Sequence, residues 1–384
     1  MLSAPVRMLA AVRPSEHPGL LLSTAYGTAV LSVAPFLLPA LADEYGIGLG
    51  LASFATSAQL LGFVAGSFGA GRYLLPRGRI LFLALLASFV AHALSALLPP
   101  FAVLVALRVA SGVALGVITW FSWSLVFGDE RRMSEIAVVG PVVGITTAPI
   151  AAALVERWGA PGIFTALAVT AAVPAAFTRH SGHLRSEMLA PRTPRTKKTR
   201  HLATPDATRI LVVLGLMTLG GSSVFTYGTV IAQDQTSLSL SAISFAYSAN
   251  AVAAIPSARW TGRRGIGGLW IASCGVCAVV MGAVPLGIAF IAAITFWGFA
   301  FWMGVPAAYS LLAARSRFPE ERAGDAQAVM AAGRVLGPLA GGALLDAATP
   351  TVLGLVGGTV TVAAGLGLAS IERRSVVADE VAGR

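Results

Sequence analysis

Two arginines stand where the chain is otherwise apolar. Arg108 lies in Leu104-x-x-x-Arg108-x-x-x-Gly112-x-x-x-Gly116, and Arg334 lies well inside the run that begins near Asp325. A guanidinium held among hydrocarbon costs about 2.5–3.5 kcal/mol even on forgiving scales. Arg108 is therefore expected to face a polar cavity. Arg334 is expected to meet a polar group of a neighbouring helix or a bound solute. His92 is the one histidine inside an apolar run, where its ring could titrate near neutral pH or sit buried and satisfied. Cys274 and Cys277 have the C-x-x-C spacing of redox and zinc sites. Without the further ligands that a zinc site requires, they read as small packing residues, and no metal is expected. The chain contains no H-E-x-x-H, G-x-S-x-G or G-x-x-x-x-G-K-[ST], so neither an enzyme nor a cofactor is expected.

The elements that must position these residues follow from composition. Of 384 residues, 56% are hydrophobic and 11% charged, with a mean hydropathy of +0.79. Soluble domains carry about 25% charged residues. Neither a disordered chain nor a soluble two-domain enzyme fits, and a bilayer is the solvent that does. The 42 glycines suit membrane helices packed closely together. Twelve spans are read, near 19–41, 50–70, 79–98, 101–127, 134–155, 160–178, 208–231, 241–258, 267–287, 288–312, 325–346 and 350–370.

With both termini cytoplasmic, all of the 27 basic residues except Arg108, Arg157 and Arg334 fall on the inner side. That asymmetry supports the span count and the orientation. The layout is a cytoplasmic segment (1–18), a six-helix bundle (19–178), a basic cytoplasmic linker (179–207), a second six-helix bundle (208–371) and a cytoplasmic tail (372–384). The net charge of +10 is thereby read as an orientation signal, with no nucleic acid as partner.

The halves share sequence. Ser53-Phe-Ala-Thr-Ser-Ala-Gln59 in span 2 corresponds to Ser244-Phe-Ala-Tyr-Ser-Ala-Asn250 in span 8. Tyr26-Gly27-Thr28 in span 1 recurs as Tyr227-Gly228-Thr229 in span 7. Gly140-Pro141-x-x-Gly144 in span 5 recurs as Gly337-Pro338-x-x-Gly341 in span 11. Every match joins spans six apart, as in transporters built from repeats around a midplane site. The fold class is an all-α membrane protein of two pseudo-symmetric six-helix bundles.

On these residues the chain resembles the major facilitator superfamily over nearly its whole length. The Arg108–Gly116 pattern is similar to that family's fourth-helix motif. Gly140-Pro141-Val142-Val143-Gly144, followed by Glu156-Arg157-Trp158-Gly159, resembles the fifth-helix motif of its drug/proton antiporters. The loop holding Arg72, Arg77 and Arg79 keeps the family's basic character but lacks its acidic residue. The resemblance implies alternating access, with a cavity lined by spans 1, 4, 7 and 10. It implies substrate contacts from Tyr26, Thr28, Arg108, Trp120, Tyr227, Thr229, Trp297 and Trp302. Trp120 and Trp302 read equally well as interfacial belt residues. Gln59 and Asn250 either face the cavity or join helices. Arg108 and Arg334 are expected to serve coupling or anion binding, and the Gly-Pro pairs Gly140, Pro141, Gly144 and Gly337, Pro338, Gly341 to serve as a packed hinge.

The expected function is proton-coupled export of a small amphipathic or drug-like compound by a monomer in a bacterial cytoplasmic membrane. The alternative is a symporter or uniporter for a small organic anion. Spans 1, 4, 7 and 10 contain no carboxylate, which favours neutral or anionic cargo over cations.

Overall fold

The computed structural model describes residues 17–126, 130–179, 201–259 and 266–382. Their thirteen helices are α1 Pro18–Ser32, α2 Ala34–Tyr45, α3 Leu49–Tyr73, α4 Gly78–Ser95, α5 Phe101–Val126, α6 Glu130–Arg179, α7 Pro205–Phe225, α8 Gly228–Gln235, α9 Leu240–Arg259, α10 Gly267–Ala283, α11 Gly287–Ala314, α12 Pro319–Ala347 and α13 Pro350–Ala382. No strand occurs among the described residues. The expected segment 1–18 and the basic stretch of the linker lie almost wholly outside the described residues. The expected tail is instead helical through residue 382, as a continuation of α13.

Twelve crossings are built from these helices. Span 1 is the pair α1 and α2, bent by 52° where Pro35 withholds an N–H from the preceding turn. Span 7 is likewise split into α7 and α8 at Thr226 and Tyr227. Spans 5 and 6 are one helical run broken at Gly159, whose φ of 61° and ψ of −154° suit only glycine. Proline and capping residues punctuate the rest. Thr204 Oγ1 accepts from Ala207 N at 3.2 Å ahead of Pro205, and Gly46 ends α2 with φ 60°. Outward-facing side chains such as Leu83, Val90, Leu355 and Leu366 are apolar and 44–55% exposed, which marks surface for lipid tails.

Close helix crossings depend on glycine. Gly268, Gly275 and Gly282 recur every seven residues along α10 and meet Gly365, Gly358 and Gly354 of α13. Gly62 and Gly66 of α3 receive the backbone of Val109 and Val113. In return, Gly112 and Gly116 of α5 receive the backbone of Gln59 and Phe63. In the second half Gly298 of α11 receives the carbonyl of Asn250 in the same way. Glu372, buried near the end of the α13 span, accepts from Gly268 N at 3.2 Å and places a carboxylate on the N-terminus of α10.

Candidate functional site: the cavity between the halves

The two halves touch through four hydrogen bonds among the described residues. Ser57 Oγ donates to the carbonyl of Val335 at 2.7 Å, and Ser248 Oγ donates to that of Ile145 at 2.6 Å. Thr229 Oγ1 donates to the carbonyl of Pro35, where the two broken spans meet. Asp346, at the end of α12, accepts from Gly50 N at 2.9 Å in the first turn of α3. All four lie toward the side of the membrane that holds Gly46, Gly159 and Asp346, here called the far face. The opposite side, holding the linker ends, is the linker face.

The two serine bonds are symmetry mates, because Ser57 and Ser248 occupy the same place in the Ser-Phe-Ala repeat. The structure thereby corrects two other matches. Ile145 and Val335 are equivalent in this pairing, so the Gly-Pro pairs of spans 5 and 11 are out of step by seven residues, roughly 10 Å along a helix at 1.5 Å per residue. Gly144 meets Ala251 across the halves, whereas Gly337 and Gly341 pack within their own half against Ser222, Ser223 and Tyr227. Tyr26 sits seven residues before the break of span 1, and Tyr227 sits at the break of span 7. Neither pair forms a symmetric device.

Linker-ward of these ties the halves enclose a cavity of about 460 Å³. Its wall is apolar and aromatic, with Phe63, Phe225, Trp297, Phe301 and Trp302 prominent. Gln59, Ser222, Thr226, Asn250, Gln327 and Arg334 add polarity. Asn250 Nδ2 donates to the carbonyl of Ile294 at 2.6 Å, which leaves Oδ1 free to accept. Of the expected site residues, the cavity gathers Gln59, Asn250, Trp297, Trp302 and Arg334.

It does not gather Tyr26, Thr28, Arg108, Trp120, Tyr227 or Thr229. Tyr26 is buried and bonded to Ser88. The Thr28 hydroxyl donates to the carbonyl of Thr24 at 3.1 Å, and Trp120 lies over Gly71. Tyr227 donates to the carbonyl of Pro338 at 2.7 Å. Phe63, Ala331 and Gln327 were not anticipated, although helical spacing points to them: Phe63 is one turn past Gln59, and Ala331 and Gln327 lie one and two turns before Arg334.

The largest correction concerns Arg108. It is wholly buried inside the first half, turned away from the cavity. Its Nη2 donates to Ser95 Oγ at 2.7 Å and to the Ala91 carbonyl at 3.3 Å. Its Nη1 lies 3.1 Å from His92 Nδ1, and the guanidinium carbon stands 4.6 Å from the centre of the Phe164 ring. Since a guanidinium only donates, His92 Nδ1 accepts and Nε2 carries the ring proton. Neutral acceptors and an aromatic face replace the expected polar cavity. Cys274 and Cys277 are free thiols buried in α10, and Cys274 also touches the cavity wall.

Two pseudo-symmetric bundles, each of six crossings, joined on one face and parted by a central cavity, define a membrane transporter. Residues 20–342 match the family model described as Major Facilitator Superfamily, and the chain belongs to that family. It is similar in fold to a POT family transporter solved in complex with 5-aminolevulinic acid (12% identity, 93% of this chain and 95% of that chain, TM-score 0.72). It also resembles the POT family transporter PepTSo (13% identity, 94% and 98%, TM-score 0.69). A third likeness is a bacterial homolog of the human lysosomal transporter Spinster, solved inward-facing and occupied (14% identity, 98% and 95%, TM-score 0.64). No curated protein sequence matches the chain.

The serine ties carry a prediction. Each is a neutral hydrogen bond worth about 1 kcal/mol net. The Val335 carbonyl keeps the N–H of Leu339 as its helical donor, whereas the residue four beyond Ile145 is Pro149, which has no N–H, so Ser248 supplies a donor that the helix itself cannot. Ser57→Ala with Ser248→Ala is therefore expected to shift the equilibrium toward far-face opening by about 10-fold or more. The readout is alkylation of Ala331→Cys by an impermeant maleimide added from the far face, in a Cys274→Ser, Cys277→Ser background. An unchanged labelling rate would show that the ties do not hold the face shut.

Proposed function

We propose that the protein is an alternating-access secondary carrier that exports a small amphipathic compound from the cytoplasm in exchange for protons. The cavity carries this reading. It joins aromatic side chains, most of them on the second half, to amide groups on both halves, sits beside the inter-half ties and lies on the linker side of the closed face. A solute with an apolar body and one or two polar groups fits such a lining. The family likeness of spans 4 and 5 favours export with protons. The lining holds no Asp or Glu, so the proton is not carried on a carboxylate of the cavity wall.

The test uses purified protein in liposomes that contain a pH-sensitive dye. A pH gradient is imposed, and pooled neutral, cationic and anionic amphiphiles are screened for compound-dependent proton flux. Antiport is expected from at least one pool, and Trp297→Ala is expected to reduce it 10-fold or more, on the order of the cost of losing one large aromatic contact. Compound movement without a proton signal would overturn the coupling. Silence from every pool with monodisperse protein would overturn the carrier reading.

A further inference from the structure

Both embedded arginines lack a carboxylate partner, but their surroundings differ. Arg108 is sealed from the cavity, with three hydrogen-bond partners and an aromatic face. Arg334 forms no hydrogen bond or ion pair with a described residue, and its exposed surface belongs to the cavity wall. The acid nearest along its helix, Asp325, is paired with Arg322 at 2.7 Å, and Arg322 also donates to the carbonyl of His201 at 2.7 Å. No Asp or Glu lines the cavity, so Arg334 is the one charged group among its lining residues. An unpaired guanidinium at membrane depth is costly, and a solute anion removes that cost.

Position adds a second constraint. Arg334 directly precedes Val335, whose carbonyl receives Ser57. Gln59, two residues beyond Ser57, faces the same cavity from the other half. An anion on Arg334 thus lies in the cavity, on the residue next to the one whose carbonyl ties the two halves. The aromatic side chains Trp297, Phe301 and Trp302 are contributed by α11 and face the same space.

We propose that Arg334 is the anchor for a single carboxylate on the cargo, which makes the cargo an aromatic or similarly apolar monocarboxylate. The proposal rests on the carrier reading and narrows it. The planar guanidinium fork takes a carboxylate through two parallel N–H donors, which a neutral amide does not match. One arginine balances one negative charge, so cations and dianions are both disfavoured.

The test compares three probes that share one apolar body: 1-naphthylacetate, 1-naphthylacetamide and 1-naphthylethylamine. Each is titrated against purified full-length protein and followed by thermal shift and by competition with tritiated 1-naphthylacetate. The carboxylate is expected to bind at least 10-fold tighter than the amide, and the amine weakest. Arg334→Gln is expected to erase the preference for carboxylate over amide by weakening the carboxylate at least 10-fold. Arg334→Lys, which keeps the charge but loses the fork, is expected to restore part of the preference. Equal binding of carboxylate and amide by the wild type would overturn the proposal, as would a preference that survives Arg334→Gln. Failure of all three probes to bind would overturn it too. If pooled compounds still drive flux in liposomes, the carrier reading survives that failure.

Discussion

Arg108→Ala is expected to cost about 3–5 kcal/mol of stability, enough to leave little folded protein, while Arg108→Met recovers most of the loss. Alanine empties a site that no water-filled cavity adjoins, and strips His92 Nδ1 of its donor. Methionine refills most of the volume and removes a charge that itself pays for burial. Replacing a buried charge by an apolar side chain of similar size is often close to neutral. Thermal midpoints of the two variants in detergent decide the matter. Equal loss in both would mean that the charge, and not the volume, holds spans 3, 4 and 6 together. Wild-type stability of Arg108→Ala would remove the structural role altogether. An arginine facing the cavity would give a different outcome, a variant that folds but does not transport.

Gly275→Leu is expected to abolish the folded second half. A Cβ at this position would stand 2.5 Å from Val362 N and 2.6 Å from the Gly358 carbonyl, both backbone atoms that do not rotate away. Even alanine would overpack the crossing by about 1–3 kcal/mol, and leucine would force α10 and α13 apart along their length. The measurement is yield of monodisperse protein from membranes, with Gly69→Leu as control, since nothing lies within 4 Å of a Cβ at Gly69. Normal yield of Gly275→Leu would show that α10 and α13 do not cross as described.

Span number and the two-half plan were legible because they depend on quantities that sequence states directly: apolar length, basic asymmetry and repetition. The Ser-Phe-Ala repeat was the informative one, and it marks the serines that bridge the halves. The direction in which Arg108 points was not legible. Hydrophobic periodicity finds the buried side of a helix only where the other side meets water. A helix flanked by lipid, protein and cavity is apolar on nearly every side, so α5 gives no signal of which face meets span 3. Short matches such as Tyr-Gly-Thr were misleading for a related reason. Small and aromatic residues are common in packed membrane helices, and three-residue coincidences between them carry little register information. That Arg334 lines the cavity without a carboxylate partner could be seen only in the structure, where Asp325 is found with Arg322.

The bonds that close the far face have a consequence for the surroundings in which the carrier works. Three of the four join a hydroxyl to a backbone carbonyl, and only Asp346 at Gly50 involves a formal charge. Mobile ions weaken attraction between full charges over about 10 Å at 0.1 M, but they leave short neutral hydrogen bonds almost untouched. A gate of this kind opens at nearly the same cost in dilute and in saline medium.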